Sequence, residues 1–152
     1  MRTLFIFALF LAAPLAAQQF YEAEHPGHGV AVQQVTEDAF VLQWFFHDGH
    51  TTRWVVSDVC DNGALCDVWT VDAIGFPALG SRLVPAGDVH PTLMDRTLLL
   101  DYALNIKPLT CAVLPGPYPP NCRGADGKVD RSIILRRGLE QSGTIWFDLL
   151  VE

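Results

Sequence analysis

Ala39-Phe40-Val41-Leu42-Gln43-Trp44-Phe45-Phe46-His47-Asp48-Gly49-His50-Thr51-Thr52-Arg53-Trp54-Val55-Val56-Ser57 decides the class of fold. Two runs rich in β-branched and aromatic residues flank Asp48-Gly49, a dipeptide favoured in tight hairpins because glycine takes positive φ without steric cost. Neither run sustains a helical apolar period, and both hold the residue types that suit a pleated, half-buried surface. The stretch reads as two antiparallel strands joined by a turn.

The same punctuation recurs outward from it. Strand-like runs occupy 29–36, 39–47, 50–59, 66–74, 79–86, 97–105, 128–137 and 143–151, separated by Gly, Asp, Asn and Pro clusters. Asn62-Gly63 and Asp126-Gly127 repeat the hairpin signal. Short spacing between the runs favours an antiparallel meander, because parallel crossovers need helices. The expectation is an all-β fold: a meander of about eight strands, forming a small barrel or a two-sheet sandwich.

Composition bounds what such a fold does. The chain has 152 residues, 50% of them hydrophobic and 18% charged, enough for a core and too apolar for a disordered chain. A formal charge of −7, with no run of Lys or Arg, speaks against nucleic acid and anionic membrane surfaces as partners. Met1-Arg2-Thr3, the apolar run Leu4 to Leu15 and the small pair Ala16-Ala17 have the layout of a secretory signal peptide cut after Ala17. That apolar run is shorter than the ~20 residues a membrane-spanning helix needs. Residues 1–17 are therefore expected to be a leader and 18–152 a single β domain, secreted or periplasmic, with no membrane span in the mature protein. Losing Arg2 with the leader moves the formal charge to −8.

Cysteine usage agrees with export. Cys60, Cys66, Cys111 and Cys122 form two local pairs, each bracketing turn-like sequence, and an even count in an oxidising compartment reads as two disulfides. Sequence leaves three connectivities open, of which local pairing is preferred. Between Ile106 and Arg123 no periodic run exists, and five prolines crowd the stretch. A long Pro-rich loop closed by a disulfide is a candidate recognition element, with Pro115, Pro117, Tyr118, Pro119 and Pro120 as contact residues.

The histidines supply a second candidate. If Glu37-Asp38 and Asp48-Gly49 are two-residue turns, His28 falls opposite His47, and His47 opposite His50. Directly opposed residues share a face, so three imidazoles would line up across three strands as ligands for Zn²⁺ or Cu²⁺. A slip of one residue in either pairing breaks the row. Solvated histidines at a hairpin tip explain the same residues without a metal. Asp126-Gly127-Lys128-Val129-Asp130 resembles the middle of a calcium loop, but the flanking positions lack the oxygen ligands.

Catalysis finds little to stand on. Ser57, Ser81, Ser132 and Ser142 sit in no Gly-x-Ser-x-Gly elbow, the cysteines are committed to disulfides, and no phosphate loop or dinucleotide fingerprint occurs. The residues point to a binding module, rather than an enzyme, for a small molecule, a glycan or an envelope or extracellular protein. The alternatives are a metal-binding protein or metal-dependent hydrolase built on the histidine row, an inhibitor of a secreted hydrolase, or a structural envelope protein.

Pro26-Gly27-His28-Gly29-Val30, Leu42-Gln43-Trp44-Phe45-Phe46-His47-Asp48-Gly49 and Arg53-Trp54-Val55-Val56 together resemble a meander module of uncharacterised secreted proteobacterial β-proteins. That module has a Ser-Gly-His-Gly approach, a Trp-Tyr-x-Tyr-Asp strand end, a Gly turn and a Trp-Tyr pair. Here Pro26 replaces the serine and His47 the second tyrosine, and the turn is one residue shorter. The likeness covers residues 26–56 and implies an exported β-meander without an assigned activity. Tyr118-Pro119-Pro120-Asn121-Cys122 is similar to the Pro-Pro-x-Cys end of Bowman–Birk-type inhibitor loops, although the bond in the cleavage position, Gly116-Pro117, is one proteases cut poorly.

Overall fold

A computed structural model describes residues 17–150 apart from 26, 74–80 and 115. The predicted leader thus lies outside the described residues, except for Ala17. Eleven strands occur among them: β1 (Gln18–Tyr21), β2 (Gly29–Gln34), β3 (Ala39–His47), β4 (Thr52–Ser57), β5 (Cys60–Asp61), β6 (Cys66–Ala73), β7 (Ser81–Leu93), β8 (Thr97–Ile106), β9 (Leu109–Thr110), β10 (Ile134–Arg136) and β11 (Leu139–Leu149).

Eight of these close a ring. The order runs β1-β2-β3-β4-β6-β7-β8-β11, every pairing is antiparallel, and β11 returns to β1 through Phe20↔Leu149 and Tyr21↔Asp148. Of the two architectures the sequence allows, the protein adopts the barrel, whose closure between β11 and β1 rests on those two residue pairs. β5 continues the track of β4 along β3 after an irregularity at Asp58-Val59. There Ser57 repairs the ladder, its Oγ accepting from the Leu42 N–H at 2.8 Å and donating to the Asp58 carbonyl at 2.6 Å.

Alternation along the strands decides what fills the barrel. In β3, Phe40, Leu42, Trp44 and Phe46 point inward; in β8, Leu98, Leu100, Leu104 and Ile106 do. Phe20, Val30, Val32, Val55, Val68, Val89 and Phe147 complete the core. The Trp44 ring lies 4.6 Å from Phe46, 4.9 Å from Tyr102 and 6.5 Å from Phe147, centroid to centroid. An eight-stranded barrel has an interior that side chains can fill, and aromatic rings fill this one.

Both disulfides pair locally, Cys60 with Cys66 and Cys111 with Cys122. The first ties β5 to the start of β6. The second staples the insertion between β8 and β11, where Leu109, Cys111, Leu114 and Cys122 form a small core of their own with Tyr118, Ile133 and Leu135 packed on it.

Three expected strands are corrected. The run 128–137 reduces to β10, which pairs with β9 in a two-stranded ribbon outside the barrel. Of the expected 79–86 strand, residues 79 and 80 lie outside the described residues; from Ser81 it continues to Leu93, through Gly87 and Pro91. The run 143–151 begins four residues earlier, at Leu139. β1 was not anticipated, because four residues beside the leader carry too little pattern.

Candidate functional site

The antiparallel order gathers the chemistry at one mouth of the barrel. β1 ends and β2 begins there (Tyr21↔Gly29), as do the end of β3 and start of β4 (His47↔Thr52) and the end of β8 and start of β11 (Ile106↔Leu139). Both sequence candidates, the histidines and the Pro-rich insertion, thus emerge at the same end.

The histidine row does not form. β2 pairs with β3 through Val30↔Trp44, one residue out of the expected register, and His47 faces Thr52 in β4 rather than His50. The physical reason lies in the turns. Val35 and Thr36 both donate to the Ala39 carbonyl, which makes that turn longer than Glu37-Asp38 alone. Asp48 to Thr51 form a four-residue turn closed by Asp48 N–H to the Thr51 carbonyl, with Gly49 at φ 89°. His28 and His47 still meet, but through the backbone: His28 Nε2 accepts the His47 N–H at 3.1 Å. Its Nδ1 therefore carries the proton and donates to Glu22 at 3.2 Å, while His25 stacks on it at 5.4 Å and bonds the other Glu22 oxygen at 2.6 Å. Among the described residues no group of three metal-ligating side chains occurs.

Asp48 organises the hairpin tip. Its Oδ1 accepts the N–H groups of His50 and Thr51, each at 2.9 Å, and its Oδ2 accepts from Arg53 Nε. The paired side chains are 4% and 5% exposed. Burial alone would push the Asp48 carboxyl up; the Thr51 N–H, the Arg53 guanidinium and the His50 N–H outweigh it and hold the carboxyl well below the usual carboxylate range.

Arg53 was missed as a site residue in the sequence. It occupies an inward position of β4, in line with Val55 and Ser57, directly opposite Phe46. Its Nη2 donates to the Arg137 carbonyl at 2.7 Å, tying the hairpin to the end of the insertion. Arg136, half-buried beside it, donates from Nη2 to the Lys107 carbonyl at 2.7 Å. Burial, and then the like charge of Arg53, holds the Arg136 guanidinium below its ordinary range. The signals that could have found these residues are a charged side chain on the apolar phase of a strand and the doublet Arg136-Arg137 next to a barrel strand.

Between hairpin and insertion lies a cleft of about 450 Å³, with His50, Thr51 and Arg53 on one wall and Ile134, Arg136 and Arg137 on the other. His50 is the one sequence candidate that lines it. The proline loop does not reach it: Pro119 is buried and Tyr118 half-buried against the insertion's own core, Pro117 and Pro120 face solvent, and Pro115 lies outside the described residues. No helix among the described residues is long and apolar enough to cross a membrane. No family model, curated protein or solved structure matches the chain.

Proposed function

We propose that the chain is an exported, disulfide-stabilised binding barrel whose ligand sits at the mouth, in the cleft between the β3–β4 turn and the 134–137 segment. Two disulfides belong to an oxidising compartment and support export, as does the leader-like amino terminus. Aromatic and aliphatic side chains fill the barrel, so a ligand is better accommodated at its end than inside. One observation carries the reading: the cleft has the size of a small-molecule site, and its walls come from segments 84 residues apart that a side chain–backbone bond locks together.

Native mass spectrometry tests it on protein recovered from the periplasm or medium. The wild type should carry a non-covalent adduct that Ile134→Trp, which fills the cleft from an exposed position, no longer retains. A bare mature mass for the wild type, or an adduct that survives the substitution, overturns the proposal.

A further inference from the structure

One stretch of the barrel wall ends in a bare strand edge. From Leu139 to Phe147, β11 pairs with β8 alone among the described residues; β1 meets it only at Asp148 and Leu149. The ladder to β8 runs without a register shift, so the main-chain groups of β11 alternate strictly between its two sides. Leu149 N–H donates to Arg96, just ahead of β8, whereas Leu150 N–H donates to Gln19 in β1. By that alternation the N–H and C=O groups of Glu140, Ser142, Thr144 and Trp146 face away from β8, and no described residue bonds them. Residues 140–144 are exposed throughout. Such an edge is a template for a further strand, and Lys, Pro or a bulge ordinarily blunts it. None of these occurs between Leu139 and Phe147.

We infer that this edge takes an extended segment of another polypeptide, in which apolar side chains alternate with basic ones. Main-chain hydrogen bonds supply the docking, and the alternate side chains supply the selection. One phase of the incoming strand continues the inward phase of β11, where Gln141, Gly143 and Ile145 stand in line with the buried Phe147. Tyr102 lies over Gly143, its hydroxyl 3.1 Å from where a Cβ would be and accepting from Gln141 Nε2 at 3.0 Å. Tyr102 and Ile145, both half-buried on the core, thus form an apolar lip. The other phase meets Glu140, Trp146 and Asp148, with Asp101 bonded to Thr144 beside them. β8 and β11 hold these three carboxylates and no Lys or Arg, and Trp146, 58% exposed, offers a ring face to a cation. A second copy of this acidic chain would bring the same three carboxylates to the seam; a basic segment complements them.

Two end-blocked octapeptides test this on the mature protein, one of alternating Lys and Val and one of alternating Glu and Val, with affinity read by anisotropy and amide exchange by NMR. The Lys–Val peptide should bind and protect the Ser142 and Thr144 amides, and the Glu–Val peptide should not bind. Ser142→Pro removes an N–H from the free side only, where an edge strand tolerates proline, and should weaken the Lys–Val peptide by about ten-fold or more. Ser142→Ala keeps the main chain and should bind as the wild type does. Glu140→Gln should weaken binding by about two- to five-fold. Failure of the Lys–Val peptide to bind overturns the inference, as does binding that Ser142→Pro leaves unchanged. Should that variant not fold, wild-type exchange decides: protection gained elsewhere than at Ser142 and Thr144 overturns the edge assignment. Equal binding of the Glu–Val peptide overturns the basic character. Self-association in sedimentation equilibrium that Ser142→Pro abolishes assigns the edge to a second copy and overturns the peptide reading.

Discussion

Arg53 Nη2 donates to the backbone carbonyl of Arg137 at 2.7 Å, across 84 residues of sequence. The acceptor is main chain, so the contact depends on the side chain of one partner only. Replacing Arg53 by Met removes this bond, frees the insertion from the hairpin and strands the buried Asp48 carboxylate. A buried pair broken on one side costs ~3–5 kcal/mol; at the barrel mouth, where solvent screens the site, about 2–3 kcal/mol is expected. Arg137→Gln should change stability by less than ~0.5 kcal/mol, as exposed substitutions do. Urea unfolding of the two variants separates them, and equal losses would refute the assignment of the bond to the Arg137 main chain.

Acid titrates the same pair from the other side. The folded Asp48 carboxyl is held below its unfolded value, so its contribution is full above the unfolded carboxylate pKa of ~3.9 and drains away as pH falls towards the folded value. Asp48→Asn retains an oxygen for the two N–H groups and loses the charge. The wild-type advantage over Asp48→Asn should therefore be constant from pH 7 to pH 5 and shrink by pH 3. Urea midpoints of both proteins at these three values test it; an advantage that grows in acid has the wrong sign.

Gly87 shows where the backbone leaves no choice. It follows the bulge between Val68↔Gly87 and Trp69↔Pro85, at φ 130°, and a Cβ there would lie 2.0 Å from the Ala103 carbonyl oxygen. Strain and overlap with a neighbouring strand's main chain act together, so Gly87→Ala should cost about 3 kcal/mol or more. Gly127 also has positive φ, at 75°, yet nothing stands within 4 Å of its would-be Cβ. Gly127→Ala should cost only about 1 kcal/mol. Thermal unfolding of both distinguishes a crowded glycine from a merely left-handed one.

The same bulge shows why β7 was hard to read. Gly87 and Pro91 look like breaks in sequence after the expected run ending at 86, yet both lie within one strand with Pro85. The Pro91 carbonyl accepts from Gly63 N–H, so the side of Pro91 that lacks a donor faces the 62–65 turn, ahead of Cys66, the first paired residue of β6. Such tolerance depends on what lies alongside and leaves no trace in local composition. The Ala39–His47 strand, by contrast, was legible to the residue because alternation and turn chemistry are local. Histidine geometry failed on turn length: the β2–β3 pairing is one residue out of the expected register, and the β3–β4 turn has four residues rather than two because Asp48 accepts two N–H groups and holds it open. The cleft needed the fold itself: it arises where Arg53, a charge on the apolar phase of a strand, meets an insertion whose path only packing determines.

The insertion has its own small core, separate from that of the barrel, and one disulfide to close it. Its elements should therefore open independently of the barrel. Cys111→Ser with Cys122→Ser releases a short loop, and chain entropy sets the local loss at somewhat under ~3 kcal/mol. Little of that reaches the eight-stranded ring, whose ladders do not pass through residues 109–135. Hydrogen exchange in the double variant should thus lose protection at β9, at β10 and at the Cys111 N–H, which donates to the Ile133 carbonyl. β3 and β8 should exchange as in the wild type. Since Arg136 and Arg137 ride on this segment, ligand affinity should fall with that protection although the barrel persists. Loss of protection throughout β3 and β8 would mean instead that insertion and barrel fold as one unit.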